Sequence, residues 1–166
     1  MNKTLIVVDM QNDFIDMALG TKEAVAIVPK VKSKIEEYVT NGYEVIYTRD
    51  THGENYLDTP EGKKLPVVHC VKGTPGWEIA DGIYRDGCRI IDKPNFGWPH
   101  WDKEQLEEVE LIGLCTDICV VSNALIIKSA FPDAVVKVDS SCCAGVTPQS
   151  HEAALVTMKM CQIDVI

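Results

Sequence analysis

The chain has 166 residues, 46% hydrophobic and 25% charged, which suffices for one domain with a sizeable core. A formal net charge of −9 works against nucleic acid or an anionic membrane surface as partner. No apolar run approaches the roughly 18 residues of a spanning helix, and no basic segment with a following apolar stretch opens the chain, so no signal peptide is expected and the expected location is the cytoplasm.

Residues 3–9 form a short apolar run ending in a carboxylate, the pattern of a fully buried strand. Residues 22–41 place Val25, Val28, Val31, Ile35 and Tyr38 at helical spacing and stop at Asn41-Gly42, a helix C-terminus signal. A second strand follows at 43–48. Residues 49–75 are rich in Gly, Pro, Asp and Thr and read as a long excursion with at most short elements, the kind of stretch that is usually functional. Trp77 and Ile79 start a small helix interrupted by Gly82, and 88–92 is a third strand. Residues 96–101 are aromatic and breaker-rich, and 103–107 reads as one helical turn or more. Then come a strand (109–114), a helix (117–130), a strand (134–138), a helix (148–160) and a closing strand (163–166). Apolar strands alternating with helices predict one three-layer αβα domain over 1–166, doubly wound around a mainly parallel six-stranded sheet. If the strand order is 3-2-1-4-5-6, the ligand crevice lies beyond the carboxyl ends of strands 1 and 4.

Three reactive groups fall at carboxyl ends of predicted strands: Asp9 after the first, Lys93 after the third and Cys119 after the fourth. With Thr116 as N-cap, Cys119 takes the third helical position, where the helix dipole and unpaired N–H groups should lower its pKa. A thiol nucleophile needs a base and a cationic neighbour, and Asp9 and Lys93 supply both. The other thiols of the seven lie in apolar context and read as inert core residues; an odd count without a secretion signal argues against a disulfide framework.

Val7-Val-Asp-Met-Gln-Asn-Asp-Phe14 and Gly113-Leu-Cys-Thr-Asp-Ile-Cys-Val120, with Lys93 between them, resemble the opening motif, nucleophile motif and third-strand Lys of the isochorismatase-like cysteine hydrolases. That superfamily includes nicotinamidases. The resemblance runs from Leu5 to the C-terminal strand. It implies an Asp9–Lys93–Cys119 catalytic triad and a cis peptide between Leu114 and Cys115. It also implies an oxyanion hole built from the N–H groups of Cys115 and Cys119. The implied reaction is acyl transfer: Asp9 takes the thiol proton, Cys119 attacks an amide carbonyl of a small molecule, and water hydrolyses the thioester. The homo-oligomers of the family lead us to expect one here.

A second constellation is Asp50 and His52 at the end of the second strand with His69 further on; only four histidines exist in the chain. Nicotinamidases bind a divalent ion through an Asp-x-His and a later His in this region, and Glu61 resembles a further carboxylate ligand of some members. The mixed N/O donors suit Zn²⁺, Mn²⁺ or Fe²⁺, and no organic cofactor is implied. The same residues could equally anchor the loop by hydrogen bonds without metal. Phe14 has a substrate-binding position in the family, and Trp77, Phe96 and Trp98 could also wall a flat substrate. Leu65 stands in a region where many nicotinamidases have a Trp, so a small aliphatic amide, a carbamoyl compound or a ureide is comparably open as substrate. His100 and His151 have no partner visible in sequence. Cys142-Cys143 reads as the turn after the fifth strand, and the acidic stretch 104–110 as a solvated face.

Other classes are weaker. Isochorismatases proper cleave a vinyl ether without the thiol. A non-catalytic binding relative would not need all of Asp9, Lys93 and Cys119. A thiol redox sensor would have Cys115 as its only nearby resolving partner.

Overall fold

The computed structural model describes residues 2–166. Its centre is a parallel sheet of β1 (Lys3–Val8), β2 (Glu44–Asp50), β3 (Arg89–Lys93), β4 (Glu108–Leu114), β5 (Val135–Ala144) and β6 (Asp164–Val165), in the order β3-β2-β1-β4-β5-β6. The fold is the single doubly wound α/β domain expected from the alternation of apolar strands and helices. β1 is central and flanked by β2 and β4, so both its faces are covered: Leu5 and Val7 join the core on one side, Ile6 and Val8 the core on the other. This is why the run reads as continuously apolar.

One face is covered by α2 (Lys22–Thr40), the other by α4 (Val121–Ala130) and α5 (Pro148–Met160). Thr21 caps α2 by accepting from the Ala24 N–H at 3.0 Å, and Gly42 (φ +69) ends it. The buried stripe is Ala24, Ile27, Val31, Ile35 and Tyr38; Val25, counted in the stripe by spacing, points to solvent. A single turn, α1 (Asn12–Ile15), follows β1 and was not foreseen. In the excursion lie a 3₁₀ turn at Tyr56–Asp58 and a short helix, α3 (Pro60–Lys64), capped by Thr59.

Several expectations are corrected. Trp77 and Ile79 start no helix; Ile79 pairs with Gln11 in an antiparallel bridge. The turn expected at 103–107 is a 3₁₀ turn at Trp101–Lys103. Cys142 and Cys143 lie inside β5, one toward each core, because the pairing slips between Leu111↔Val138 and Gly113↔Cys143 and β5 runs on to Ala144. Gly113 (φ +117) is required there, since a Cβ would collide with the Val8 backbone. Glu108 and Glu110 are buried strand residues rather than a solvated face. Glu108 is held by Lys137 at 2.7 Å and Lys3 at 3.2 Å, and Glu110 by Lys34 and the Tyr38 hydroxyl, each at 2.9 Å. All seven cysteines are free. Among the described residues no helix is long and apolar enough to cross a membrane.

Candidate active site

Asp9, Lys93 and Cys119 converge at the carboxyl end of the sheet, on both sides of the point where strand order reverses between β1 and β4. Asp9 leaves β1 with φ +48, a left-handed conformation that Asp tolerates better than most residues. Its Oδ1 accepts from the Thr48 hydroxyl at 2.6 Å, and Lys93 Nζ stands 2.6 Å from its Oδ2. The same Nζ lies 3.5 Å from Cys119 Sγ and donates to the Asn95 carbonyl at 3.2 Å. Lys93 and Asp9 are fully buried and Cys119 nearly so.

Cys119 sits on a turn that differs from expectation. Thr116–Val120 is a π-helical turn leading into α4, with the Val120 N–H bonded to the Cys115 carbonyl at 3.0 Å. Cys115, not Thr116, is the N-cap residue. The Thr116 hydroxyl instead shares a hydrogen bond with His151 Nδ1 at 2.7 Å, giving that histidine the partner its sequence context did not show. The Leu114–Cys115 peptide is cis.

The charges of the three groups are interdependent. Burial works against the Lys93 ammonium, but Asp9, Cys119 and Asp50 outweigh it and hold its pKa above the ordinary lysine range. Burial pushes Asp9 above the usual carboxylate range in spite of Lys93. Burial and the Asp9 carboxylate push the Cys119 thiol well up, against the pull of Lys93. The lowered thiol pKa expected from a helix start is therefore not found: desolvation and neighbouring carboxylates exceed a helix-terminus effect.

Beside this triad, Asp50, His52, Glu61 and His69 bring one donor atom each to within 4.8 Å of the others. Asp50 Oδ2 lies 2.9 Å from His52 Nε2 and 3.5 Å from His69 Nε2; Glu61 Oε1 lies 3.6 and 3.8 Å from the same two nitrogens. His69 Nδ1–H donates to the Val67 carbonyl at 2.7 Å, which leaves Nε2 facing the cluster. Burial opposes the Asp50 carboxylate, yet bonds from His52 and His69 and the charge of Lys93 hold it below the usual range. Burial and Asp50 raise Glu61. Two imidazoles and two carboxylates crowded around one point form a donor set that fits a borderline divalent cation, which would relieve the repulsion between the carboxylates.

Both constellations open on one cavity of about 250 Å³, walled by Phe14, Leu19, Leu65, Phe96, Ile118 and Val146, with Cys115, Cys119, Asp50, Glu61 and His69 on its lining. Phe14 and Phe96 thus stand where wall residues were expected. Trp77 and Trp98 do not: Trp77 stacks under the Arg49 guanidinium at 3.6 Å, and Trp98 packs against His100.

Four supporting residues were missed. Thr48 orients Asp9, as given above. The Gln11 amide brackets Asp50, accepting from its N–H at 2.7 Å and donating to its carbonyl at 2.9 Å. Asp13 holds the Cys70 N–H at 2.7 Å. Asn123 ties α4 to the segment after β3: it accepts from Trp98 N–H and Trp101 Nε1, both at 2.8 Å, and donates to the Cys119 carbonyl at 2.8 Å. Gln11 and Asp13 lie within the motif Val7–Phe14, and Asn123 is an amide in a largely apolar helix; Thr48 carried no signal.

The chain is similar to known proteins along its whole length. It is 27% identical over 188 residues to the nicotinamidase/pyrazinamidase of Mycobacterium tuberculosis, covering 99% of this chain and 98% of that protein. The crystal structure of the pyrazinamidase of Pyrococcus horikoshii in complex with zinc matches with a TM-score of 0.86 at 28% identity, covering 100% of this chain and 99% of that one. The N-carbamoylsarcosine amidase from Thermoplasma acidophilum matches with a TM-score of 0.81 at 25% identity, over 99% and 95% of the two chains. The sequence profile of the isochorismatase domain covers residues 3–166, and the chain belongs to the isochorismatase domain family.

Proposed function

We propose that this protein is a cysteine amidohydrolase that cleaves the C–N bond of a small uncharged carboxamide through a thioester. The observation that carries this reading is the meeting of Asp9 and Lys93 with Cys119, which lines an apolar cavity.

In the resting site Cys119 is a thiol, Asp9 is a carboxylate with a raised pKa, and Lys93 is an ammonium. The raised pKa suits Asp9 to take the thiol proton as Sγ attacks the amide carbonyl. Lys93 keeps its charge throughout and stabilises whichever of carboxylate and thiolate is ionised. The N–H groups of Cys115 and Cys119, at the first turn of the helix, serve as oxyanion donors. Asp9 returns the proton to the leaving ammonia. Water, deprotonated by Asp9, then hydrolyses the thioester and frees the acid and the thiol.

Asp50, His52, Glu61 and His69 would hold a divalent cation, which would supply positive charge and Lewis acidity on the cavity wall. The relative crystallised with zinc supports this part of the reading.

Wall chemistry narrows the substrate. The lining carries the carboxylates of Asp50 and Glu61 and no arginine or lysine, since Lys93 lies with Asp9 behind Cys119. A carbamoyl amino acid would bring a carboxylate to a wall with no arginine or lysine to receive it, where the charge of a divalent cation would already be balanced by Asp50 and Glu61. A neutral amide with an apolar acyl group fits better.

The test is ammonia release over a panel of primary amides, carbamoyl compounds and ureides, with Cys119→Ala as control. Release from neutral amides that vanishes in a folded Cys119→Ala protein is expected. Undiminished release by that variant would sink the mechanism.

A further inference from the structure

Asp13 has no part in the chemistry above, yet its carboxylate is buried beneath the metal-ligand cluster. Its Oδ2 accepts from the Cys70 N–H at 2.7 Å, and its main-chain N–H donates to the Gly76 carbonyl at 2.9 Å. Cys70 directly follows His69 and has φ +47, a left-handed conformation that costs energy in a residue other than glycine and persists only where its surroundings hold it. Two hydrogen bonds hold it here. Asp13 takes the N–H of Cys70, and the Cys70 carbonyl takes the N–H of His52 at 2.9 Å. Cys70 therefore joins the backbones of the two imidazole donors, and Asp13 fixes the peptide between His69 and Cys70. Gly76 leaves no slack, because a Cβ there would overlap the Asp13 carboxylate. The next residue, Phe14, packs edge-on against the His69 ring at 5.5 Å.

We propose that Asp13 is a positioning residue for the metal site: its charge-assisted hydrogen bond to the Cys70 N–H holds the backbone in the conformation that aims His69 Nε2 at Asp50, His52 and Glu61. A bond to a carboxylate is stronger than one to a neutral acceptor, which suits it to hold an unfavourable backbone conformation. This proposal rests on reading the four-residue cluster as a metal site.

The test uses Co²⁺ as probe on metal-free protein, with affinity from chelator competition, the visible absorption spectrum of the bound ion, and iodoacetamide labelling of Cys119 read on its peptide by mass spectrometry. Asp13→Ala is expected to weaken Co²⁺ binding by about 10–100-fold, as loss of an outer partner of a metal ligand does, and to change the spectrum. Cys119 labelling of the metal-free protein should stay at the parental rate. Asp13→Asn keeps an acceptor oxygen without the charge and should recover part of the affinity. Gly76→Ala, which presses on the carboxylate from outside, should weaken binding as well. Asp13→Ala that binds Co²⁺ with parental affinity and spectrum overturns the proposal alone. So does a loss of Cys119 reactivity parallel to the loss of metal, which would make Asp13 a general scaffold residue. If Asp13→Ala does not fold, Gly76→Ala with parental affinity overturns it. A parent protein that binds no Co²⁺ overturns the metal reading and this proposal together.

Discussion

The Lys93 ammonium lies 2.6 Å from the Asp9 carboxylate, and neither side chain reaches solvent. A buried pair of this kind is costly to form and costlier to break, because removing one partner leaves the other charged or forces it to neutralise. Lys93→Met should therefore destabilise the protein by about 3–5 kcal/mol in urea unfolding. It should also cut kcat/KM by at least about 100-fold, the lower range for loss of a group that stabilises charge in the reacting site. Adding Asp9→Leu to Lys93→Met should restore much of the stability and none of the turnover. A double variant less stable than Lys93→Met would show that the pair contributes net stability.

Asp9 has two opposite effects on Cys119. In the proposed mechanism it is the base that activates the thiol; as a neighbouring negative charge it helps keep the thiol protonated. Asp9→Asn should separate them. Turnover should fall by about 100-fold or more. The thiolate fraction of Cys119 should rise, so iodoacetamide labelling of that residue at pH 7–8 should be faster than in the parent. Slower labelling in a folded Asp9→Asn protein would mean that the carboxylate is not the group holding the thiol up.

Stability should fall as pH rises above about 9, the ordinary thiol value. Burial pushes the Cys142 thiol up to about 11 and the Cys115 thiol up to about 12, and it raises Cys70 and Cys143 further. The native state thus keeps protons that the unfolded chain releases, so the slope of unfolding free energy with pH is negative there. The raised pKa of Lys93 acts in the same direction above its unfolded value near 10.5. Urea midpoints between pH 8 and 11 under reducing conditions should decline monotonically; a flat profile would contradict the burial of these thiols.

Protein purified without a nickel column should contain close to one equivalent of Zn²⁺, Mn²⁺ or Fe²⁺ by elemental analysis. His69→Ala should lose at least about 10-fold in affinity for added Zn²⁺, since it removes a ligand outright. Glu61→Gln should lose less, because Glu61 is the most exposed of the four and sits farther from both imidazoles than Asp50 does from His52. Equal losses would place Glu61 on the same footing as His69.

The strand ends were readable because parallel strands covered on both faces are apolar throughout, and Asp9, Lys93 and Cys119 each stand at or within a few residues of such an end. Joining the three as a triad took the resemblance of the two motifs and of Lys93 to the family. What was not readable depends on pairing between distant segments. Thr48 reaches Asp9 because β1 and β2 pair with Val8 opposite Thr48, a register no local pattern states. Glu108 and Glu110 resemble a solvated charge run until β4 is placed in mid-sheet, with Lys34, Tyr38 and Lys137 as partners from other elements. The helix start was located to within a residue, but the thiol's acidity was misjudged because full burial cannot be counted from capping position.

Asn123 offers a separate check on the site's architecture. Its side chain makes four hydrogen bonds, to Trp98, Trp101, Phe96 and Cys119, and is fully buried. Truncation leaves buried donors on Trp98 and Trp101 without an acceptor, at about 1–3 kcal/mol for each unsatisfied group. Asn123→Ala should therefore lower stability by about 2–5 kcal/mol. It should also release Phe96, whose carbonyl Asn123 holds at 3.2 Å and whose ring walls the cavity. The expected kinetic signature is a raised KM with kcat reduced less, because the triad is joined to the sheet through Asp9 and Lys93 rather than through Asn123. A fall in kcat at constant KM would instead mean that Asn123 acts through the Cys119 carbonyl on the nucleophile turn.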